Sequence, residues 1–364
     1  MYDNSLIVGT SLPSKTLCLT FDDGPGETAG SGPGPHTLEI AQYLAQEGIQ
    51  ATFFMVGKHG EQYPSIPPQV RDLGHLVGNH TFNHPDVVDL LAAGGDVIDQ
   101  IARTDAVISN WITGSTTFVR PPYGDWSANV ALALNNNLVV NMRHVGPIGW
   151  DIDGGDVSHW LNGDSAQVGS DAYLAAIQAA DRGIVLMHDS TADIEFAKPV
   201  NLTYAMVQIL VPTLKSQGYQ FVPLTAIPDV VTAAQRTLSL ALQASNGKYV
   251  SPQAGGGGTI LVDGPAIGAW ETLGIDYVAP GKVDLRAPNG LYLSPQDGGG
   301  GEVLSNGPGI GGWEALDLIP VGPQNVAFRT ATGHFLTRET AAGGQLRADV
   351  TTLSGWENFT FKPV

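Results

Sequence analysis

Residues 16–25, Thr16-Leu17-Cys18-Leu19-Thr20-Phe21-Asp22-Asp23-Gly24-Pro25, run from an apolar, β-prone segment into two adjacent carboxylates, a glycine and a proline. An apolar run without polar alternation suits a strand buried on both faces, and Gly-Pro stops it. The carboxylates therefore stand at the strand's C-terminal end. Neighbouring side chains on an extended backbone point apart, but at a strand-to-loop bend both can reach one cleft. There one carboxylate can hold a cation while the other takes a proton. Taken alone, Asp-Asp-Gly at a strand end is more often a turn with capping groups. Cys18, the only cysteine, reads as a buried strand residue, so no intramolecular disulfide and no cysteine-based metal site can form.

Outward from that strand, short β-rich runs alternate with amphipathic stretches over residues 15–228, the pattern of parallel βαβ units. A helix is predicted over residues 37–46 and a strand over 51–56. Further strands are predicted at Phe118-Val119-Arg120, Leu138-Val139-Val140, residues 183–187 and Phe221-Val222, with a helix over 202–217. Polar residues recur just after the strands, and in barrels of parallel strands the reactive groups sit at those C-terminal ends. Beyond Pro228 the helical periodicity fades and glycine clusters appear. Asn246-Gly247, Asn289-Gly290 and Thr332-Gly333 recur 43 residues apart, as do Trp270, Trp313 and Trp356, each followed by Glu, and the aromatics Tyr249, Tyr292 and Phe335. Three such copies predict an all-β trefoil over residues 231–364, resembling fascin-like and ricin-like trefoils, after a first domain over residues 1–230. The repeated Trp-Glu and Gly-aromatic positions are expected to build the symmetric core first and to contact carbohydrate second.

The 364 residues suit two domains, and 17 basic against 35 acidic residues give a formal charge of −18. Such a surface repels phosphate backbones and anionic membranes, so neither nucleic acid nor membrane is expected as a partner. No stretch approaches the ~20 apolar residues that span a bilayer, and the N-terminus lacks a charged region followed by an apolar run. A signal peptide already removed is compatible with this.

Four further clusters carry chemistry. His80-Thr81-Phe82-Asn83-His84 places two imidazoles four residues apart, expected on one face of a helical turn where both meet one divalent ion; surface or hydrogen-bonded core histidines would show the same spacing. His75 matches no partner and reads as structural. Arg120-Pro121-Pro122-Tyr123-Gly124 offers a guanidinium for a carboxylate and a stiff loop for a preorganised amide, and Leu186-Met187-His188 closes an apolar run. Asp151-Ile152-Asp153-Gly154-Gly155-Asp156 alternates Asp as calcium loops do, without their 12-residue ligand pattern.

In this order the clusters resemble the polysaccharide deacetylases, the NodB-homology family of carbohydrate esterases. The resemblance implies an α/β fold, a deformed (β/α) barrel. It implies Asp22 as catalytic base oriented by Arg120, and Asp23, His80 and His84 as ligands of Zn²⁺, with Co²⁺ or Ni²⁺ also suited. It further implies Tyr123 as backbone donor to the oxyanion, Leu186 as a pocket wall, and His188 as general acid held by Asp156. The sequence departs from the family where Val157 stands in place of a tryptophan after Asp156; Trp126, Trp150 and Trp160 are candidates to replace that wall, beside Pro122 and Tyr123. The activity implied is N-deacetylation of an acetylated polysaccharide or oligosaccharide such as chitin or peptidoglycan glycan, by a secreted or cell-envelope enzyme. Acetylxylan esterase activity and a carbohydrate-binding module with an inactive catalytic domain are the alternatives. Glycoside hydrolysis by Asp22 and Asp23 fails, because adjacent residues can hardly flank a bond with carboxyls at least about 5 Å apart.

Overall fold

After β1 (Tyr2–Ile7), the opening apolar run forms β2 (Thr16–Asp22), every residue of it buried, in a computed structural model that describes residues 2–30, 32–112, 114–136, 143–236, 238–322, 324–338 and 344–364. β2 pairs in parallel with β3 (Thr52–Met55), and β3 with β4 (Leu76–Asn79). β5 (Thr116–Phe118) and β6 (Arg143–Ile148) join β1 in a second sheet of order β1-β6-β5. β7 (Ile152–Asp153), β8 (Gly183–His188) and β9 (Gln220–Phe221) complete the first sheet, in which β2 also pairs with β8 and β9. One parallel bridge, Asn79 to Val119, links the two sheets. This broken ring of parallel strands is the deformed α/β barrel. The register sets Asp22 beside His188 and Thr20 beside Leu186, so the ends of β2 and β8 open on the same side.

The helix Thr37–Gln46 lies at its expected bounds and buries Ile40, Ala41 and Leu44. The strand expected at Leu138-Val139-Val140 falls outside the described residues. The chain divides after Gln235: residues 1–132 and 144–235 form one unit, residues 133–143 and 236–364 the other. That is five residues beyond the expected boundary, because the helix Pro228–Gln235 packs Val230 and Ala233 into one cluster with Cys18, Phe54 and Ile184. No helix among the described residues is long and apolar enough to cross a membrane.

From residue 238 onward the described residues of the second unit are sheet-rich, a twelve-stranded sheet from β10 (Leu238–Ala244) to β21 (Phe359–Pro363), numbered along the chain. Its internal repetition extends to single hydrogen bonds. Ser251 donates to Glu271, Ser294 to Glu314 and Thr337 to Glu357, at 2.6, 2.6 and 2.7 Å. The second oxygen of each glutamate accepts a loop N–H, from Gly268, Gly311 and Ser354. The glutamates are buried as expected, but the tryptophans before them are not core: Trp270, Trp313 and Trp356 are 46, 46 and 49% exposed. Each glutamate is turned inward by its two bonds, and the neighbouring side chain is left facing out.

Candidate active site

β2 delivers Asp22 and Asp23 to the barrel mouth, where their environments diverge. Arg120, fully buried, donates from Nη1 to Asp22 Oδ1 at 2.7 Å and to Thr20 Oγ1 at 2.8 Å, and from Nη2 to the Gly149 carbonyl at 2.9 Å. Its guanidinium lies 4.3 Å from the Phe54 ring centroid. A buried charge is tolerated when paired and bonded in this way, and the pairing fixes the carboxylate it faces. Gly24 leaves room behind the pair: a Cβ there would lie 2.2 Å from Asp189 Oδ2. Asp189 is buried, accepts from Thr37 Oγ1, and has its carboxyl pushed up to about 7, first by burial.

Asp23 turns the other way. Its Oδ2 accepts from the Ala192 N–H at 3.0 Å, and its buried Oδ1 has no hydrogen-bond partner. That orphaned oxygen sits 3.1 Å from His84 Nε2 and 3.5 Å from His80 Nε2. Burial alone would raise the Asp23 carboxyl, but the two imidazoles hold it well below the usual carboxylate range. His80 donates from Nδ1 to the Arg120 carbonyl at 2.8 Å, and His84 from Nδ1 to Asp193. With Nδ1 engaged in this way, each ring can offer its Nε2 lone pair to a cation that takes the place of the Nε2 proton facing Asp23. One donor atom each from Asp23, His80 and His84 lies within 4.8 Å of the others, one carboxylate and two imidazoles, a set that fits a divalent cation with positions left open.

The histidines do not meet on a helical turn. Residues 80–84 form a loop in which Thr81 and His84 adopt left-handed backbone, φ 64° and 62°. Asp23 and Tyr123 do the same at 77° and 61°, so four of the eight non-glycine residues with positive φ among the described residues cluster here. Such conformations cost free energy and persist only where the surroundings over-determine them. His75 is structural: Nε2 donates to the Ala41 carbonyl and Nδ1 accepts from Ala51 N–H.

Across the cavity, His188 donates from Nδ1 to Asp156 Oδ1 at 2.9 Å, while its own N–H donates to Asp156 Oδ2 at 2.7 Å. Burial works against the imidazolium, but Asp156 prevails and raises His188 to about 10. Asp151, in the calcium-like run, is used structurally, accepting from the Gly9 and Ile184 N–H groups. The cavity, about 350 Å³, is walled by Leu186, Val157, Tyr123, Trp150 and the segment 191–194 around the two aspartates and three histidines. Of the three tryptophans weighed for the wall, Trp150 alone lines it. Gly124 makes this possible, since a Cβ there would lie 2.6 Å from the Trp150 ring. Trp126 and Trp160, expected at the wall, lie away from it. Trp126 bonds the Asp3 carbonyl and packs on Tyr2, while Trp160 is core, donating to Thr203 Oγ1. Pro122 is buried and is not among the residues that line the cavity. Sequence reasoning missed Asp193; the only available signal was the polar run that follows His188.

Residues 9–140 match the family described as polysaccharide deacetylase. The chitooligosaccharide deacetylase of Azorhizobium caulinodans is 31% identical over 223 residues, covering 58% of this chain and 93% of that protein. The chitooligosaccharide deacetylase of Rhizobium leguminosarum bv. trifolii is 33% identical over 215 residues, 56% of this chain and 88% of its own length. The peptidoglycan-N-acetylglucosamine deacetylase of Bacillus cereus is 28% identical over 212 residues, 58% and 67% respectively. Site geometry and similarity along nearly the whole of the first two proteins agree: the chain belongs to the polysaccharide deacetylase family.

Proposed function

We propose that this chain is a metal-dependent hydrolase that removes N-acetyl groups from glycans containing N-acetylglucosamine, chitooligosaccharide or peptidoglycan strands, and releases acetate. The observation that carries the reading is the convergence on one cavity of an arginine-held carboxylate, a three-donor cation set and a carboxylate-held imidazole. Asp23, His80 and His84 would hold a Zn²⁺ ion, or Co²⁺ or Ni²⁺, which when bound would supply Lewis acidity toward water and the acetyl carbonyl. Asp22, its Oδ1 occupied by Arg120, takes the proton of the attacking water. The Tyr123 N–H is the assigned donor to the tetrahedral oxyanion. His188, kept protonated by Asp156, gives its proton to the departing nitrogen as the C–N bond breaks, leaving a free amine and acetate. An amine needs that proton more than an alkoxide does. Leu186 and Trp150 are the proposed walls for the acetyl group and sugar ring. Acetate release from chitooligosaccharides, peptidoglycan and acetylxylan by the zinc-reconstituted enzyme tests this; release from acetylxylan alone would overturn it.

For the second unit, the three-fold repetition of strands and Glu–Ser/Thr bonds supports a β-trefoil, and the outward Trp270, Trp313 and Trp356 support a stacking contact with glycan. Replacing all three with Ala should abolish retention on insoluble chitin. Such substrates also support action outside the cytoplasm, in secretion or at the cell envelope.

A further inference from the structure

Asp193 belongs to none of the sequence motifs, yet it joins two of them. Its Oδ2 accepts both from His84 Nδ1 and from the Tyr123 hydroxyl, and the His84 and Tyr123 rings meet edge to face with centroids 4.9 Å apart. We propose that Asp193 is the positioning residue of the cation-binding set, holding His84 with Nε2 directed at the ion; this rests on the cation reading of Asp23, His80 and His84. Three observations bear on it. No helix fixes His84, which sits in a loop, and its Nδ1 meets the Asp193 carboxylate rather than a main-chain acceptor. His80 needs no such help, because a main-chain carbonyl, that of Arg120, already takes its Nδ1 proton. Finally, the residue before Asp193, Ala192, bonds Asp23 Oδ2 through its N–H, so one short segment after β8 orients two of the three ligands. A carboxylate on the far nitrogen of a ligating imidazole selects the tautomer and makes the near nitrogen a better donor.

The test uses the full chain as wild type, Asp193→Ala and Asp193→Asn, stripped of metal and titrated with Zn²⁺ against a chromogenic chelator. The visible spectrum of each Co²⁺-loaded protein is recorded alongside. Asp193 is 40% exposed, so its loss leaves the core alone, and circular dichroism checks this. Asp193→Ala should bind Zn²⁺ about 10- to 100-fold more weakly and shift the Co²⁺ bands, the usual effect of losing such a partner. Asp193→Asn retains an accepting oxygen and should recover part of the affinity. Zn²⁺ affinity in Asp193→Ala within twofold of wild type, with unchanged Co²⁺ bands, would overturn the inference, as would Asn binding no better than Ala. A wild-type chain that binds neither ion would instead bring down the cation set itself, and the inference with it.

Discussion

The two units handle carboxylates in opposite ways. In the first, Asp22 and Asp23 are adjacent in sequence, but one is clamped by a buried arginine while the other leaves an oxygen unbonded between two imidazoles. In the second, Glu271, Glu314 and Glu357 sit in three near-identical settings, each bonded to a Ser or Thr and a loop N–H. Acid–base chemistry needs inequivalent groups, one to take a proton and another to give it, and therefore an irregular site drawn from several strand ends. Repetition instead yields equivalent groups, which suit a scaffold and a multiply presented surface. The barrel accordingly lines one cavity with three side chains on left-handed backbone, Asp23, His84 and Tyr123, whereas the left-handed Ala254 and Asp297 of the second unit are repeat mates at turns.

The sharpest way to break this comparison is to exchange the roles of the adjacent aspartates. Asp22→Asn should retain metal and lose about 10⁴-fold in kcat, whereas Asp23→Asn should lose metal and recover partly with added zinc. Elemental analysis beside kcat decides it, and equal metal loss in both variants would mean that the base lies elsewhere. His188→Ala should cost about 10²- to 10⁴-fold with metal retained. On the proposed role His188 donates only when protonated, and Asp156 raises it to about 10, so activity should persist at neutral pH and fall as pH rises through that value. Asp156→Asn removes the main raising group, so the alkaline limb of kcat against pH should move to lower pH. A limb that stays in place would assign the proton to another donor.

Smaller effects probe the walls and the repeats. Trp150→Ala should raise KM for chitooligosaccharide about 10-fold, the loss of a stacked aromatic, with zinc affinity unchanged. Glu314→Ala strips Ser294 and the Gly311 N–H of their partner and should destabilise the second unit by about 1–3 kcal/mol in denaturant titration. Turnover on short oligomers should not follow that loss. Least of all, a chain ending at Gln235 should match the full chain on soluble oligomers within about twofold; a folded but inactive truncation would show that the units do not work independently.

Much of the site was legible because its parts lie at the ends of apolar runs. β2 was readable since a strand buried on both faces needs continuous apolar sequence, and the 43-residue recurrence was open to inspection. The His80–His84 spacing misled in one respect, since a loop with two left-handed residues brings i and i+4 together as well as a helical turn does. The outward tryptophans were misjudged because a repeated aromatic serves a core and a surface equally, and only the inward glutamate bonds distinguish them.

By itself the amino-acid sequence determined the alternation of strands and helices in the first part of the chain, the three-fold repeat and the residue types that follow the apolar runs, because these depend on local periodicity and covalent order. Only the tertiary structure decided which tryptophan lines the cavity, which aspartate oxygen is left unbonded, and that Asp193 reaches His84 across 109 residues of chain. Those outcomes depend on the register of β2 with β8 and on loop conformations held by distant hydrogen bonds. No local pattern encodes a contact whose partners are brought together only by the closing of the barrel.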